Sequence, residues 1–431
     1  MKTGVITATS HEGRGIVKKE GEKTTFVDFA LLGEEVTYDI YAEHSRFNEA
    51  KAINIVKPSD QRAVPPCPYF GTCGGCSLQH MAHDEQIRLK QSTLLEHLKH
   101  HANLTPEVIL EPLRGPLWHY RNKAQFSVQY DTQTKKAVIG FKQNNSHDVV
   151  NIKECLILPA HINCAELSDL VNQLSICDAI QSIDMAVGDS MDHPLNRTTA
   201  FILRSKKSLT EPDETKITDF AKKQNFHFYV QTQGRSSVVK LYPQDGQEFL
   251  SYRVEDIEFR FHPTDFTQIN PEINCKMVAQ VLTLLDVKPT DRVLDLYCGM
   301  GNFSLPIAKK AAAVTGVEGV SRMVKRAQEN AALNQITNAQ FFKADLQASK
   351  ITWPKKNHDK LLIDPPRTGA NMSLVVGLKI PYIVYVSCDA ATLARDAKVL
   401  ASHGYQLKFA GVMDMFPHTK HVESVAVFVE V

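Results

Sequence analysis

The sequence has no apolar run approaching the roughly 18 residues that a membrane-spanning helix needs. Its opening, Met1-Lys2-Thr3-Gly4-Val5, contains no signal-peptide hydrophobic region. A cytoplasmic chain is the expectation, and with it nine cysteines that serve as reduced thiols or metal ligands rather than disulfides. Nor is there an excess of charge of either sign: 49 Lys and Arg face 48 Asp and Glu, a formal net charge of +1. Bulk charge therefore does not announce a nucleic-acid partner, whose binding would require the basic residues to gather on one face. Internal repeats and low-complexity stretches are missing too. What is there, 43% hydrophobic and 23% charged residues, is ordinary globular composition. A length of 431 residues exceeds what one core usually serves, so two or three domains are expected.

Three segments can be told apart. Residues 1–58 read as short strands at 3–7, 15–18, 24–29, 35–42 and 50–56, with alternation clearest in Val36-Thr37-Tyr38-Asp39-Ile40-Tyr41 and glycines at 13, 15, 21 and 33 between them. Five strands in so short a stretch predict a small OB-like barrel. Its mixed charges leave a binding role and a purely structural one equally open. A linker with four prolines at 57–68 leads into a cysteine cluster at 67–76, and 83–101 has helical character with Ile87, Leu94, Leu95 and Leu98 as apolar positions. The rest of a middle segment, 59–262, is strand-rich, most clearly at 126–130 and 226–231. From 263 to 431 strands alternate with helices: strands at 292–297, 314–318, 340–344, 360–363 and 382–387, helices at 321–334 and 390–402. That alternation predicts an α/β domain, a parallel sheet with helices on both faces. Two further strands, 405–413 and 423–431, have no helix between them and are expected to pair antiparallel at one edge.

The chemistry-bearing residues gather at the ends of these strands. Asp295-Leu296-Tyr297-Cys298-Gly299-Met300-Gly301-Asn302 joins an apolar strand to a helix. Its two glycines allow close approach of a ligand to the backbone, and the helix start offers free N–H donors. Glu318 ends the next strand, where a carboxylate can accept from both ribose hydroxyls, and Asp345 ends the third, placed to meet an adenine edge. The third glycine of a dinucleotide fingerprint is missing, since Phe303 and Ser304 follow Asn302. The series resembles the S-adenosylmethionine (SAM) site of Rossmann-like methyltransferases instead. Asp364-Pro365-Pro366-Arg367 closes the fourth strand as a stiff loop. Ser387-Cys388-Asp389 closes the fifth ahead of a helix, whose dipole is expected to favour a Cys388 thiolate, although a buried structural thiol fits the position as well. Pro417-His418-Thr419-Lys420-His421-Val422-Glu423 lies at the mouth of the last strand pair. These groups suit one reaction. A thiolate adding to C6 of a uracil makes C5 nucleophilic toward a methyl donor, and a base then removes the C5 proton so that the cysteine can leave. Cys388 and Glu423 are the nucleophile and base expected, with Asp364 orienting the reacting centre.

The chain resembles the RNA uracil-C5 methyltransferases, and within them the branch that acts on 23S rRNA. The resemblance is carried by Phe266-Thr267-Gln268-Ile269-Asn270, 295–302, 364–367, Ser387-Cys388 with Ala391-Thr392-Leu393-Ala394-Arg395-Asp396, and 417–423, in the family's order. It implies Cys388 as nucleophile, Glu423 as proton acceptor, and Gln268, Tyr297, Asn302, Glu318, Asp345 and Asp364 as SAM-site positions, with Gln268 able to reach the uracil and Phe266 to stack on a base. Asp389 and Asp345 stand where the family has, or also has, asparagine.

Cys67, Cys73 and Cys76, separated by glycines, form a wrapping loop that needs a fourth ligand, for which Cys155 is the expected donor. Spacing alone leaves zinc and a [4Fe–4S] cluster both open; the resemblance of 73–80 to the family's iron–sulfur segment implies the cluster. Resemblance also makes the N-terminal barrel a TRAM-like RNA-binding domain and places the 83–101 helix on the catalytic domain. Trp118-His119-Tyr120-Arg121-Asn122-Lys123 mixes aromatics with cations, as suits stacking on unpaired bases, although a partly buried strand start reads the same way. The expected partner is RNA, a single-stranded or loop segment of 23S rRNA whose target uracil is flipped toward Cys388. No membrane and no protein partner are expected. A tRNA uracil as substrate, and a non-catalytic RNA-binding or redox-sensing protein, are the rival readings.

Overall fold

The computed structural model describes residues 1–189, 197–232, 237–245, 248–348, 353–354 and 357–431. Among the described residues no helix is long and apolar enough to cross a membrane.

At the N-terminus, six strands form one sheet in the order Lys2–Val5, Glu35–Glu43, Phe47–Lys57, Thr24–Asp28, Gly15–Val17, Ala8–Thr9. The two strands at opposite ends of that order are joined by Ile6 and Thr7 alone. The Ile6 N–H donates to Glu34 O at 2.8 Å and the Thr7 N–H to Ile16 O at 2.9 Å, so two residues step from one edge of the sheet to the other. The sheet must therefore curl on itself. Ile6, Val17, Val27, Val36, Tyr38 and Ala50 fill it. The strand expected at 3–7 stops at Val5, and Ala8–Thr9, beyond its bounds, forms a further strand, which is why six stand where five were expected.

The middle of the chain, from Lys123 to Phe261, forms a second, largely antiparallel sheet. Helices Cys164–Gln173 and Glu211–Gln224 pack Leu167, Leu170, Val171, Ile217 and Ala221 against Phe126, Ile139, Phe201 and Phe228. Its last hairpin, Leu250–Val254 with Ile257–Phe261, shares a core with the helix Pro271–Leu285 beyond it.

The third sheet carries the site. Its strands are β1 (Arg292–Leu296), β2 (Ala313–Glu318), β3 (Ala339–Lys343), β4 (Lys360–Ile363), β5 (Tyr382–Ser387), β6 (Tyr405–Met413) and β7 (Glu423–Glu430). The order is β3-β2-β1-β4-β5-β7-β6. The first five run parallel, and β7 is antiparallel to both β5 and β6. Parallel strands covered on both faces read as unbroken apolar runs; Ile383, Val384, Tyr385 and Val386 are all fully buried. Chain order reverses between β1 and β4, and a crevice for ligands opens at the strand ends there. The last two strands pair as expected but do not end the sheet. Val108–Ile109, from far upstream, adds parallel to β6.

The helix His83–His97 continues through a wider turn at Leu98–Ala102. Leu94, Leu98 and Ala102 share a core with Leu393, Ala397 and Leu400 of the helix Ala390–Ser402, so this segment packs on the third sheet's unit. Its buried face also carries Gln86 and Lys90, each 1% exposed.

Candidate active site

After β1 the chain turns sharply through left-handed residues at Tyr297 (φ 64°), Gly299 (φ 56°) and Gly301 (φ 91°). Glycine tolerates that region; a tyrosine is held there only where its surroundings fix it. Both Tyr297 and Cys298 N–H groups donate to Val317 O, which ties the turn to the end of β2. Glu318, next along, accepts from the Gly299 N–H at 3.2 Å and the Val320 N–H at 2.8 Å, so its carboxylate is aimed before any ligand arrives. Asn302 is fixed by a reciprocal pair of hydrogen bonds with Asn274 and by the Tyr252 hydroxyl.

These residues wall a cavity of about 530 Å³, within the usual range for small-molecule sites. Gln268, Tyr297, Asn302, Glu318, Asp364, Cys388 and Glu423 all line it. Asp345 is the exception among the expected positions: it is exposed, outside the cavity wall, and its Oδ1 accepts from the Gln347 N–H at 2.9 Å. Tyr252, Met300 and Phe416 join the wall without having been singled out in the sequence. Phe266 lines the cavity too, with 68% of its surface exposed.

The reacting end holds three acids and one cation. Ser387 of β5 pairs with Ser424 of β7, so the next residues out, Cys388 and Glu423, come together at the strand ends. Burial pushes the Glu423 carboxyl up to about 8, and the charge of Asp364 adds to this, while Arg367 opposes it. Burial likewise pushes Asp364 up to about 7. The Cys388 thiol is raised to about 11, first by burial and then by Glu423 and Asp364, with Arg367 again opposing. Burial and the two carboxylates thus work against the thiolate expected from the helix start, where the Asp389 side chain accepts from the Thr392 N–H at 2.8 Å. Asparagine would cap equally well at that position.

The aromatic segment at 118–123 turns inward. Trp118 stacks on His418 with ring centroids 4.0 Å apart, and Tyr120, 2% exposed, donates its hydroxyl to Pro417 O at 3.0 Å. In place of an open stacking platform, these two rings brace the loop between β6 and β7.

Cys67, Cys73, Cys76 and Cys155 are all free and line a second cavity of about 370 Å³. Arg367 and Phe416 belong to the walls of both cavities. Among the described residues no three His, Cys, Asp or Glu side chains converge closely enough to hold a single metal ion. Of the other cysteines, Cys164 and Cys298 are buried, as core residues should be, and Cys177 and Cys275 are half-buried.

Comparison with known proteins agrees with this geometry. The family model described as tRNA (uracil-5-)-methyltransferase matches residues 82–430. A 23S rRNA (uracil(1939)-C(5))-methyltransferase RlmD of Alcanivorax borkumensis is 44% identical, over 98% of this chain and 95% of its own. Proteins of the same name from Legionella pneumophila and Francisella tularensis are each 43% identical over 99% of this chain and 97% of theirs. Among solved structures, the Pyrococcus abyssi tRNA (uracil-54, C5)-methyltransferase in complex with S-adenosyl-L-homocysteine superposes with a TM-score of 0.74, covering 99% of both chains at 24% identity, and so shares the fold. On a match that covers four-fifths of its length and carries the cavity's residues, the chain belongs to the tRNA (uracil-5-)-methyltransferase family.

Proposed function

We propose that this protein methylates C5 of a specific uracil in 23S rRNA, using SAM. The observation that carries the reading is the meeting of Cys388 and Glu423 at the ends of β5 and β7, in one cavity with Asp364 and Glu318. The relatives' names supply the RNA and the base. Glu318, Asn302, Tyr297 and Gln268 would hold SAM; Glu318 is already oriented by two backbone amides, and the cavity has room. When bound, SAM supplies an electrophilic methyl on a positively charged sulfur, whose charge favours the ionised forms of the surrounding acids.

The protein's own groups then act in turn. The Cys388 thiol loses its proton to solvent and its sulfur bonds to uracil C6, and the displaced π electrons make C5 a carbon nucleophile. C5 would take the methyl group as the methyl's bond to the sulfonium sulfur breaks, leaving S-adenosylhomocysteine as a neutral thioether. The Glu423 carboxylate takes the C5 proton, the C5–C6 double bond re-forms, and the Cys388 sulfur leaves. Asp364 orients the pyrimidine from the neighbouring strand end. A carboxyl with a pKa near 8 is a stronger base than an ordinary glutamate once ionised, which suits removal of a carbon-bound proton. The target uracil must leave its stack to reach Cys388, so the substrate is an unpaired or loop segment. The curled N-terminal sheet serves as a TRAM-like RNA-binding domain in this reading, and the protein works in the cytoplasm.

The four cysteines around the second cavity are a donor set for a [4Fe–4S] cluster. The cluster is preferred to a single zinc on the resemblance of residues 73–80 to the family's iron–sulfur segment. Methyl transfer moves no net electrons, so the role assigned to the cluster is to shape the protein between the reaction cavity and the RNA.

The test is methyl transfer from labelled SAM to unmodified 23S rRNA and to tRNA in parallel, with nucleoside analysis. 5-Methyluridine in 23S rRNA alone is the expected result. Label in tRNA alone would keep the chemistry and move the substrate, and label in neither would overturn the reading.

A further inference from the structure

Besides the Trp118 and Tyr120 rings, the loop from Asp414 to Val422, which leads into Glu423, is held by the 77–90 stretch, outside the third sheet. The Ser77 and Leu78 N–H groups both donate to His418 O at 2.9 Å, and the Lys420 N–H donates to Ser77 Oγ at 3.1 Å. Gln86 spends its buried amide on the same joint: its Oε1 accepts from the His418 N–H at 2.9 Å, and its Nε2 donates to Leu78 O at 3.1 Å and Met81 O at 2.9 Å. Lys90, also buried, donates to Asp414 Oδ1 at 2.6 Å and Phe416 O at 2.9 Å, while His83 donates to the other oxygen of Asp414 at 2.7 Å. At the centre of the loop His418 sits at φ 66°, a conformation that a residue with a side chain keeps only under such restraint.

Cys388 is held differently. It follows directly from β5, with Asp389 capping the next helix, and none of the contacts from 77–90 reaches it. The two reacting groups share the β5–β7 register, and Glu423 rests in addition on the 414–422 loop. Building on the assignment of Glu423 as the base, we propose that Gln86 and Lys90 are positioning residues for proton abstraction. They fix the 414–422 loop and so set Glu423 and Phe416 over the cavity. Because the stretch begins directly after Cys76, the cysteine loop is mechanically continuous with the base. Loosening the joint should leave addition by Cys388 nearly intact and slow the elimination that needs Glu423.

The test uses full-length Gln86→Met, Lys90→Met and His418→Gly proteins. The glycine variant removes the Trp118 stack but suits the left-handed backbone, so it loosens the loop without the cost of an unpaired buried group. SAM affinity, thermal unfolding, and formation and decay of the covalent RNA adduct on denaturing gels are read together. The expected result is SAM affinity and adduct formation within about threefold of wild type, with adduct decay slowed by about tenfold or more, as misplacement of a reacting group by about 1 Å can cost up to a hundredfold. Equal loss of formation and decay, or no change in either, would overturn the proposal. A wild-type protein that forms neither adduct nor 5-methyluridine would overturn the underlying assignment, a result visible before any variant is made.

Discussion

Cys388 and Glu423 stand one residue beyond the Ser387–Ser424 pair, so the register of β5 against β7 brings the sulfur and the carboxyl into the same cavity. Burial lifts both groups, the Glu423 charge lifts the thiol further, and Asp364 adds to the rise of both. The two groups can be separated by substitution.

Cys388→Ala should abolish methyl transfer and leave SAM binding within about threefold of wild type, since the side chain is half-buried and follows β5, which β4 separates from β1 and β2, the strands that lead to Asn302 and Glu318. Turnover with labelled SAM and calorimetric titration of SAM check this together. Loss of both would remove Cys388 from the nucleophile's role.

Glu423→Gln keeps the shape of the wall and removes the base. Addition and methylation can proceed, but the C5 proton has no acceptor. A covalent RNA–protein adduct should accumulate on denaturing gels when SAM is present. Free enzyme with no adduct would point to another base.

The raised Glu423 also shows in stability. Its pKa moves from 4.5 to about 8, so between those values the folded protein keeps a proton that the unfolded chain releases. Stability therefore falls as pH rises through that window and levels off above it. Glu423→Gln removes the effect: the variant should be more stable than wild type at pH 9, by on the order of a few kcal/mol, with the gap shrinking as pH falls through the window. Denaturant titrations at the two ends of the window measure it. Single-turnover elimination by the wild type should rise with pH over the same range.

Asp414 is fully buried and shared by Lys90 and His83. Asp414→Ala leaves a buried ammonium without its partner, a loss of about 3–5 kcal/mol. Denaturation midpoints should fall accordingly. A variant as stable as wild type would mean that Lys90 gives up its proton or finds another acceptor.

The four thiols of the second cavity should act as one unit. On the proposed [4Fe–4S] assignment, Cys155→Ser, distant in sequence from the other three, should lower iron content per chain as strongly as Cys73→Ser. Iron retention in Cys155→Ser alone would remove it from the ligand set.

Much of the catalytic sheet was legible in the sequence, because parallel strands buried on both faces leave apolar runs such as 382–387 that end abruptly in polar residues. The chemistry sits at those ends, so Glu318, Asp364, Cys388 and Glu423 could be found from position. The two-residue strand Val108–Ile109 could not, since its pairing is set by β6 rather than by any preference of its own. Lys90 and Asp414 lie 324 residues apart, and a lysine on an otherwise amphipathic helix reads as solvent-facing until its partner is known. The inward turn of Trp118 and Tyr120 was hidden for the same reason: composition does not tell an aromatic that meets RNA from one that meets a loop. The upward shift of the Cys388 thiol depends on how deeply it is buried and how near Glu423 and Asp364 come, both of them three-dimensional facts.

The strand that brings Glu423 is also the one that joins β5 to β6, and these two do not pair with each other. Closing the sheet and delivering the carboxylate are therefore both done by β7. A change that weakens the pairing of this strand is expected to cost cohesion of the sheet and release of the product together, so the base cannot be loosened there without a loss of stability.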